Sequence, residues 1–310
     1  MDTSRIKGII PPILTPIDEN ERVDEARMRK QVEFVINGGV HGILAFGSNG
    51  EFYMLEEDET HRTLDIMLSQ AASRVPVFCG IGAIRTQKCV RIAHMAREAG
   101  AAGISVLQPM FLKPTEEELF RHFRTIADSV PDLPMLLYNN PGRTGYTMSY
   151  SLVERLADQC PNIVGMKDSS GDMTRTAEYI RRMRGRDFKV FGGKDTLVFG
   201  TLIHGGAGGV CSTANMYPKL VCSIYEKFVS GDIQGSLEAQ YRLNPVRLSM
   251  DLASFPVATK DMANMMGLDV GVPFLPNLPS DEKTMAAMRR EMVTAGLLEA
   301  SPYITQGGST

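Results

Sequence analysis

The chain is expected to fold as an α/β protein, a closed (β/α)8 (TIM) barrel with a C-terminal helical extension. Three observations predict it. Short apolar runs recur at roughly thirty-residue intervals, the length of one strand-plus-helix unit. There are eight such runs. The longer segments between them carry apolar residues at helical spacing and charged faces. Strands that are apolar throughout are buried on both faces and belong to a parallel sheet. Eight strand–helix units favour a closed barrel over an open doubly wound sheet.

The runs, in order, are "GIIPPILTP" from Gly8, "GILAFGSNGE" from Gly42, "VPVFCGIG" from Val75 and "GISVLQP" from Gly103. They continue with "LPMLLYNNP" from Leu133, "NIVGMKDSS" from Asn162, "FKVFGGKD" from Phe188 and "GGVCSTAN" from Gly208. Helical spacing covers residues 24–37, 56–72, 86–98 and 116–127. "EAGAAG" and "HGGAGG" place glycines where a helix stops and the next strand begins. After Asn215 only helical patterns remain, over about 218–229, 233–253, 258–266 and 281–295. The expected organisation is therefore a barrel over residues 1–216, carrying the active site, and C-terminal helices over 217–310 packed against it.

Composition removes several functional classes. At 310 residues, with 43% apolar and 22% charged residues, the chain reads as an ordinary globular protein. A formal charge of −3 leaves no electrostatic footprint for nucleic acid. The basic cluster Arg181, Arg182, Arg184 and Arg186 falls near a helix end, where cations complement the dipole. No apolar run is long enough to span a bilayer. The start, "MDTSRIKGIIPPILTP", is broken by Pro11 and Pro12 and makes a poor signal peptide. The five cysteines are odd in number and show no CxxC pairing, as expected of buried thiols in a reducing compartment. A cytoplasmic location follows as an expectation. The 19 methionines read as adaptable core filler.

Active sites of such barrels lie at the C-terminal ends of the strands. Strand 1 ends in Thr15, strand 2 in Gly47-Ser48-Asn49-Gly50-Glu51, and strand 5 in Tyr138-Asn139-Asn140-Pro141, followed by Arg143. Strand 6 ends with Lys167, strand 7 with Gly193-Lys194-Asp195, and strand 8 with Ser212. The five histidines are scattered and none falls at a strand end, so no metal site is expected. A lysine in a tight apolar pocket keeps a neutral amine and can attack a ketone, and the resulting iminium serves as an electron sink. Water loss and proton shuttling need a hydroxyl close by, for which Tyr138 is the candidate. Ser48 and Asn49 offer NH groups and a hydroxyl as a carboxylate cradle. The alternative for Lys167 is a snorkelling stem whose head pairs with Asp168 or a loop carboxylate. Lys194 and Asp195 could order a hydroxylated substrate or pair with one another.

"GSNGE", "YNNPGRTG" and "GMKD", in this order and spacing, resemble the dihydrodipicolinate synthase / N-acetylneuraminate lyase family, over about residues 8–298. The resemblance implies a (β/α)8 barrel and a pyruvate-type Schiff base on Lys167, with no cofactor beyond that covalent imine. It further implies Tyr138 as proton donor and acceptor, a 2-oxo acid carboxylate at Ser48-Asn49, and a homotetramer built as a dimer of dimers. Catalysis is thus assigned to Lys167, Tyr138 and Ser48. Substrate binding is assigned to Asn49, Gly47, Thr15, Arg143, Gly193, Ser212 and Phe111.

Departures bear on which member this is. Dihydrodipicolinate synthases typically carry two threonines where Ser48 and Asn49 stand, and a tyrosine pair where Met110 and Phe111 stand. The second of those tyrosines normally crosses a dimer interface to complete a hydroxyl relay, and Phe111 cannot pass a proton. Arg143 pulls the other way, because synthases use an arginine in this loop to bind the carboxylate of the aldehyde substrate. "GSNGEF" with Phe52 looks more like the sugar-acid aldolase branch. The expected function is a Schiff-base-forming lyase or aldolase acting on a 2-oxo acid, pyruvate plus an aldehyde, of the 2-keto-3-deoxy sugar acid type. The alternative is 4-hydroxy-tetrahydrodipicolinate synthase, condensing pyruvate with aspartate semialdehyde. A non-catalytic 2-oxo acid sensor is the third reading.

Overall fold

The structure is a computed structural model and describes residues 1–299; the last eleven residues of the expected C-terminal region, 300–310, lie outside the described residues. Eight parallel strands form one sheet: β1 (Gly8–Ile9), β2 (Ile43–Ala45), β3 (Val77–Ile81), β4 (Gly103–Leu107), β5 (Met135–Asn139), β6 (Ile163–Asp168), β7 (Lys189–Gly192) and β8 (Gly208–Gly209). Their order is β1-β8-β7-β6-β5-β4-β3-β2. The two edges then meet. A parallel bridge joins Pro12 to Leu44, the Leu44 NH donates to Pro11 O at 2.9 Å, and the Ile13 NH donates to Leu44 O at 3.0 Å. The sheet is therefore a barrel, as the eight apolar runs predict.

β1 and β8 are only two residues long, shorter than their apolar runs suggest. A Cβ on Gly208 would lie 2.0 Å from Gly8 O, so the strands close here on bare backbone. The alternation of strand side chains splits the core in two. One face (Ile43, Ala45, Cys79, Ile104, Val106, Leu137, Met166 and Val190 among others) packs outward against helices. The other (Ile10, Leu44, Phe78, Leu136, Val164, Phe191 and Val210) fills the barrel interior as a solid plug.

The outer layer consists of α1 (Glu25–Asn37), α2 (Glu57–Ala71), α3 (Thr86–Ala99), α4 (Glu116–Ser129), the single turn α5 (Pro141–Thr144), α6 (Tyr150–Gln159), α7 (Met173–Arg182) and α8 (Val198–Ile203). Caps match the sequence. Thr115 and Glu118 form a reciprocal capping box on α4, and Asp24 and Asp172 cap α1 and α7. Arg181 and Arg182 occupy the last turn of α7, paired with Glu178 and, for Arg182, Glu154. All five cysteines are buried and free.

Beyond β8 come α9 (Pro218–Val229), α10 (Ile233–Ser249), α11 (Val257–Met265) and α12 (Glu282–Thr294). α9 contributes Val221, Cys222 and Ile224 to the barrel's outer core. Val246 of α10, Met262 of α11, and Met288 and Met292 of α12 form a second cluster around Leu14. The helix expected to run to residue 253 ends at Ser249 and tightens into a 3-10 turn over Met250–Leu252. That turn and the segment after it bend back over the barrel mouth. No helix among the described residues is long and apolar enough to cross a membrane.

Candidate active site

Lys167 stands directly opposite Tyr138 in the β5–β6 ladder. Its neighbour Met166 faces the helices, so Lys167 points into the barrel, above the plug. The side chain is 4% exposed. Its amine lies 4.3 Å from the centroid of the Tyr138 ring, a contact an aromatic face can stabilise. The snorkelling alternative does not describe it. Among the described residues no carboxylate lies within ion-pair distance of Lys167, because Asp168 is engaged elsewhere. The Asp168 carboxylate accepts from Asn139 Nδ2 at 2.8 Å, Ser170 Oγ at 2.8 Å and Thr176 Oγ1 at 2.6 Å. Gly193, directly after β7, leaves room for the lysine stem, since a Cβ there would sit 3.0 Å from Lys167 Cε and 2.0 Å from Ser169 Oγ.

Tyr138 is buried, which pushes its phenol up. The Lys167 charge, the Asn140 amide and the nearby hydroxyls of Ser48 and Ser169 outweigh that, and the phenol ends below the ordinary tyrosine value. Asn140 Nδ2 donates to the phenol oxygen at 2.8 Å. A tyrosine so surrounded holds a phenolate more readily than one in water.

Lys167, Tyr138, Ser48, Asn49, Arg143, Gly193 and Ser212 line one cavity of 370 Å3 at the C-terminal ends of the strands. The sequence brought these seven together. Three other expected residues sit apart from it. Thr15 is fully buried and spends its hydroxyl on Gly50 O at 2.8 Å, pinning the turn after β2. Gly47 lies beneath the cavity, against Pro12. Phe111 is 98% exposed, with a positive φ of 73° that a bulky side chain rarely adopts. Asp195 does not pair with Lys194. Its carboxylate accepts from the Thr213 NH and hydroxyl at 2.7 and 2.6 Å. Lys194 lines the cavity with no carboxylate partner among the described residues. Arg143 stacks on Phe255, its guanidinium carbon 4.4 Å from the ring centroid.

Sequence reasoning missed two groups. Asn140 and Ser169 were inside the quoted motifs, and only the barrel geometry turns them toward the phenol. Arg247, Met250, Asp251, Phe255, Pro256, Ala258 and Thr259 also line the cavity; they come from the C-terminal helices, where no motif marks them. The turn over Ser48–Gly50 is held from that side. Asn49 Nδ2 donates to Ser212 Oγ at 2.7 Å, and Thr259 Oγ1 donates to Asn49 Oδ1 at 2.8 Å. Glu51, with φ 51°, is fully buried against the Lys260 ammonium at 2.7 Å. Lys260 also donates to Val272 O at 2.8 Å, and Glu51 Oε1 accepts the Phe274 NH at 3.1 Å. Burial pulls the Lys260 ammonium down and Glu51 partly restores it. No cluster of three or more His, Cys, Asp or Glu suited to a metal occurs among the described residues.

Comparison with known proteins agrees with this arrangement. The sequence profile of the Dihydrodipicolinate synthetase family matches residues 5–295. A 4-hydroxy-tetrahydrodipicolinate synthase of Thermus thermophilus is 37% identical over 288 residues, covering 91% of this chain and 95% of its own. The dihydrodipicolinate synthase of Cyanidioschyzon merolae, solved with lysine bound, superposes with a TM-score of 0.91 at 28% identity, covering 95% of this chain and 99% of its own. YagE, a prophage protein of E. coli from the dihydrodipicolinic acid synthase family solved with pyruvate, gives 0.91 at 29% identity and covers 94% of this chain and 99% of its own.

Proposed function

The chain belongs to the dihydrodipicolinate synthetase family of class I pyruvate-dependent lyases and aldolases, and we propose that Lys167 is the residue on which its imine forms. The observation that carries this is the buried amine of Lys167, without a carboxylate partner among the described residues, over the ring of Tyr138. In its neutral form the amine attacks the ketone carbon of a 2-oxo acid. Tyr138 delivers a proton to the hydroxyl of the carbinolamine, which leaves as water, and the iminium remains. Loss of a C3 proton to the phenolate gives the enamine, whose carbon then adds to an aldehyde. In cleavage the C3–C4 bond breaks instead, its electron pair enters the iminium, and the C4 hydroxyl proton goes to the phenolate. Lysine and tyrosine suffice for these steps, and no metal or organic cofactor is required.

In this reading Ser48, the backbone NH groups beside it and Ser212 receive the 2-oxo acid carboxylate. The second substrate is an aldehyde bearing an anionic group. Arg143 and Lys194, both without an acid partner among the described residues, line the cavity's outer part. For its identity, the names of the relatives favour aspartate semialdehyde over the sugar-acid aldehyde expected first, so the synthase alternative moves ahead. Sugar-acid cleavage stays as the second reading because Phe111 carries no hydroxyl for a relay. The partner subunit enters here. A fully exposed phenylalanine held at φ 73° fits a residue that inserts into a neighbouring copy, and the assembly is a homotetramer, a dimer of dimers, in the cytoplasm. The test is turnover. Purified protein with pyruvate and aspartate semialdehyde should condense them, and 2-keto-3-deoxy sugar acids should release pyruvate more slowly. Failure of both would remove the enzymatic reading and leave a 2-oxo acid sensor.

A further inference from the structure

Two consecutive residues of α11 reach the turn after β2, one at its middle residue and one at the residue that closes it. Thr259 holds Asn49 and Lys260 holds Glu51, across more than two hundred residues of sequence. We propose that Thr259 is a positioning residue, which fixes the Asn49 amide so that Ser212 presents a hydrogen-bond donor to the carboxylate of the 2-oxo acid.

The polarity of the chain can be followed atom by atom. A carboxamide accepts only at its oxygen and donates only at its nitrogen. With Oδ1 taken by the Thr259 hydroxyl, Nδ2 faces Ser212 and donates to its Oγ at 2.7 Å. A hydroxyl carries one hydrogen. Since Ser212 Oγ accepts from Asn49, that hydrogen is left for the cavity, which Ser212 lines. With the amide turned round, Ser212 would donate to Asn49 Oδ1 and show the substrate its lone pairs, the wrong sign for an anion. A turned amide would instead donate to Thr259 Oγ1 and strand the threonine's own hydrogen, which has Asn49 Oδ1 as its one acceptor among the described residues. Thr259 is fully buried, so no water takes that hydrogen. Its NH is satisfied by Pro256 O at 3.0 Å. The buried Glu51–Lys260 pair on the adjacent residue keeps α11 from sliding. The C-terminal helices therefore set the sign of a hydrogen bond inside the barrel.

The test uses Thr259→Val, which keeps the shape and removes the donor, and Thr259→Ser, which keeps the donor. The readout is the pyruvate concentration giving half-maximal trapping by borohydride. Thr259→Val should raise it roughly ten-fold, the scale of one charge-assisted hydrogen bond, and Thr259→Ser should stay close to the parent. A parent-like value for Thr259→Val, or equal impairment of Thr259→Ser, would overturn the proposal, since the second outcome means that packing and not the hydroxyl matters. The kinetic arm rests on the imine reading above. If the parent protein is not trapped by pyruvate, that reading has failed, and a high-resolution crystal structure of Thr259→Val decides this one alone. An Asn49 amide turned or withdrawn from Ser212 supports it, and an unchanged Asn49 Nδ2–Ser212 contact overturns it.

Discussion

Tyr138 and Lys167 are register partners on adjacent parallel strands, with the lysine amine 4.3 Å from the centre of the tyrosine ring. A ladder fixes that relationship more firmly than a loop could. Replacing Tyr138 by Phe keeps the ring and removes only the hydroxyl proposed to carry the proton. Turnover should fall by about 10²- to 10⁴-fold, measured by pyruvate consumption, with the far-UV spectrum unchanged.

The Glu51–Lys260 pair should behave as a buried ion pair does when halved. Lys260→Met leaves the Glu51 carboxylate buried without its ammonium and is expected to cost about 3–5 kcal/mol. The double variant Glu51→Gln, Lys260→Met should recover part of that loss in urea denaturation. Equal stability of the single and double variants would show that the two groups are not coupled.

Arg143 is exposed on the cavity rim and stacked on Phe255. Arg143→Ala should raise KM for an aldehyde bearing a carboxylate by roughly ten-fold or more, and leave the formation of the pyruvate imine unaltered. A matching rise for an uncharged aldehyde would remove the recognition role.

His122, on α4, is buried with Thr86 Oγ1 2.9 Å from its Nδ1, and burial lowers its imidazole to about 4. A folded value depressed below the ordinary 6.5 stabilises the fold above that pH. The contribution is lost as pH falls toward 4, because the unfolded chain takes up the proton first. The loss amounts to roughly 3 kcal/mol. Denaturation midpoints measured from pH 7 to pH 4 should show this slope, and His122→Gln should flatten it.

Phe111 offers a check on assembly. Phe111→Asp puts a charge where an aromatic side chain is fully exposed on a single chain. If that side chain is buried against a neighbouring subunit, sedimentation should shift toward smaller species, while the monomer fold stays intact by circular dichroism.

Much of the site was legible because a barrel converts strand order into geometry. Once Tyr138 and Lys167 are put at the ends of strands 5 and 6, their proximity follows from sheet pairing. Ser48, Gly193 and Ser212 follow by the same rule. Thr15 ends the first apolar run, but the strand itself stops at Ile9, and the Thr15 side chain turns to a backbone carbonyl rather than to the cavity. Thr259, Phe255 and Arg247 were illegible because they reach the mouth through the packing of helices. Their position depends on Met262, Met288 and Val246 fitting around Leu14, and apolar periodicity leaves such packing angles open.

The central claim is that the Lys167 amine forms the covalent intermediate. Incubation with pyruvate and borohydride, followed by peptide mass mapping, tests it directly. The expected result is one reduced pyruvate adduct on the Lys167 peptide and none in Lys167→Ala. An unmodified Lys167 peptide in a protein that still consumes pyruvate, or an adduct on another lysine, would contradict it.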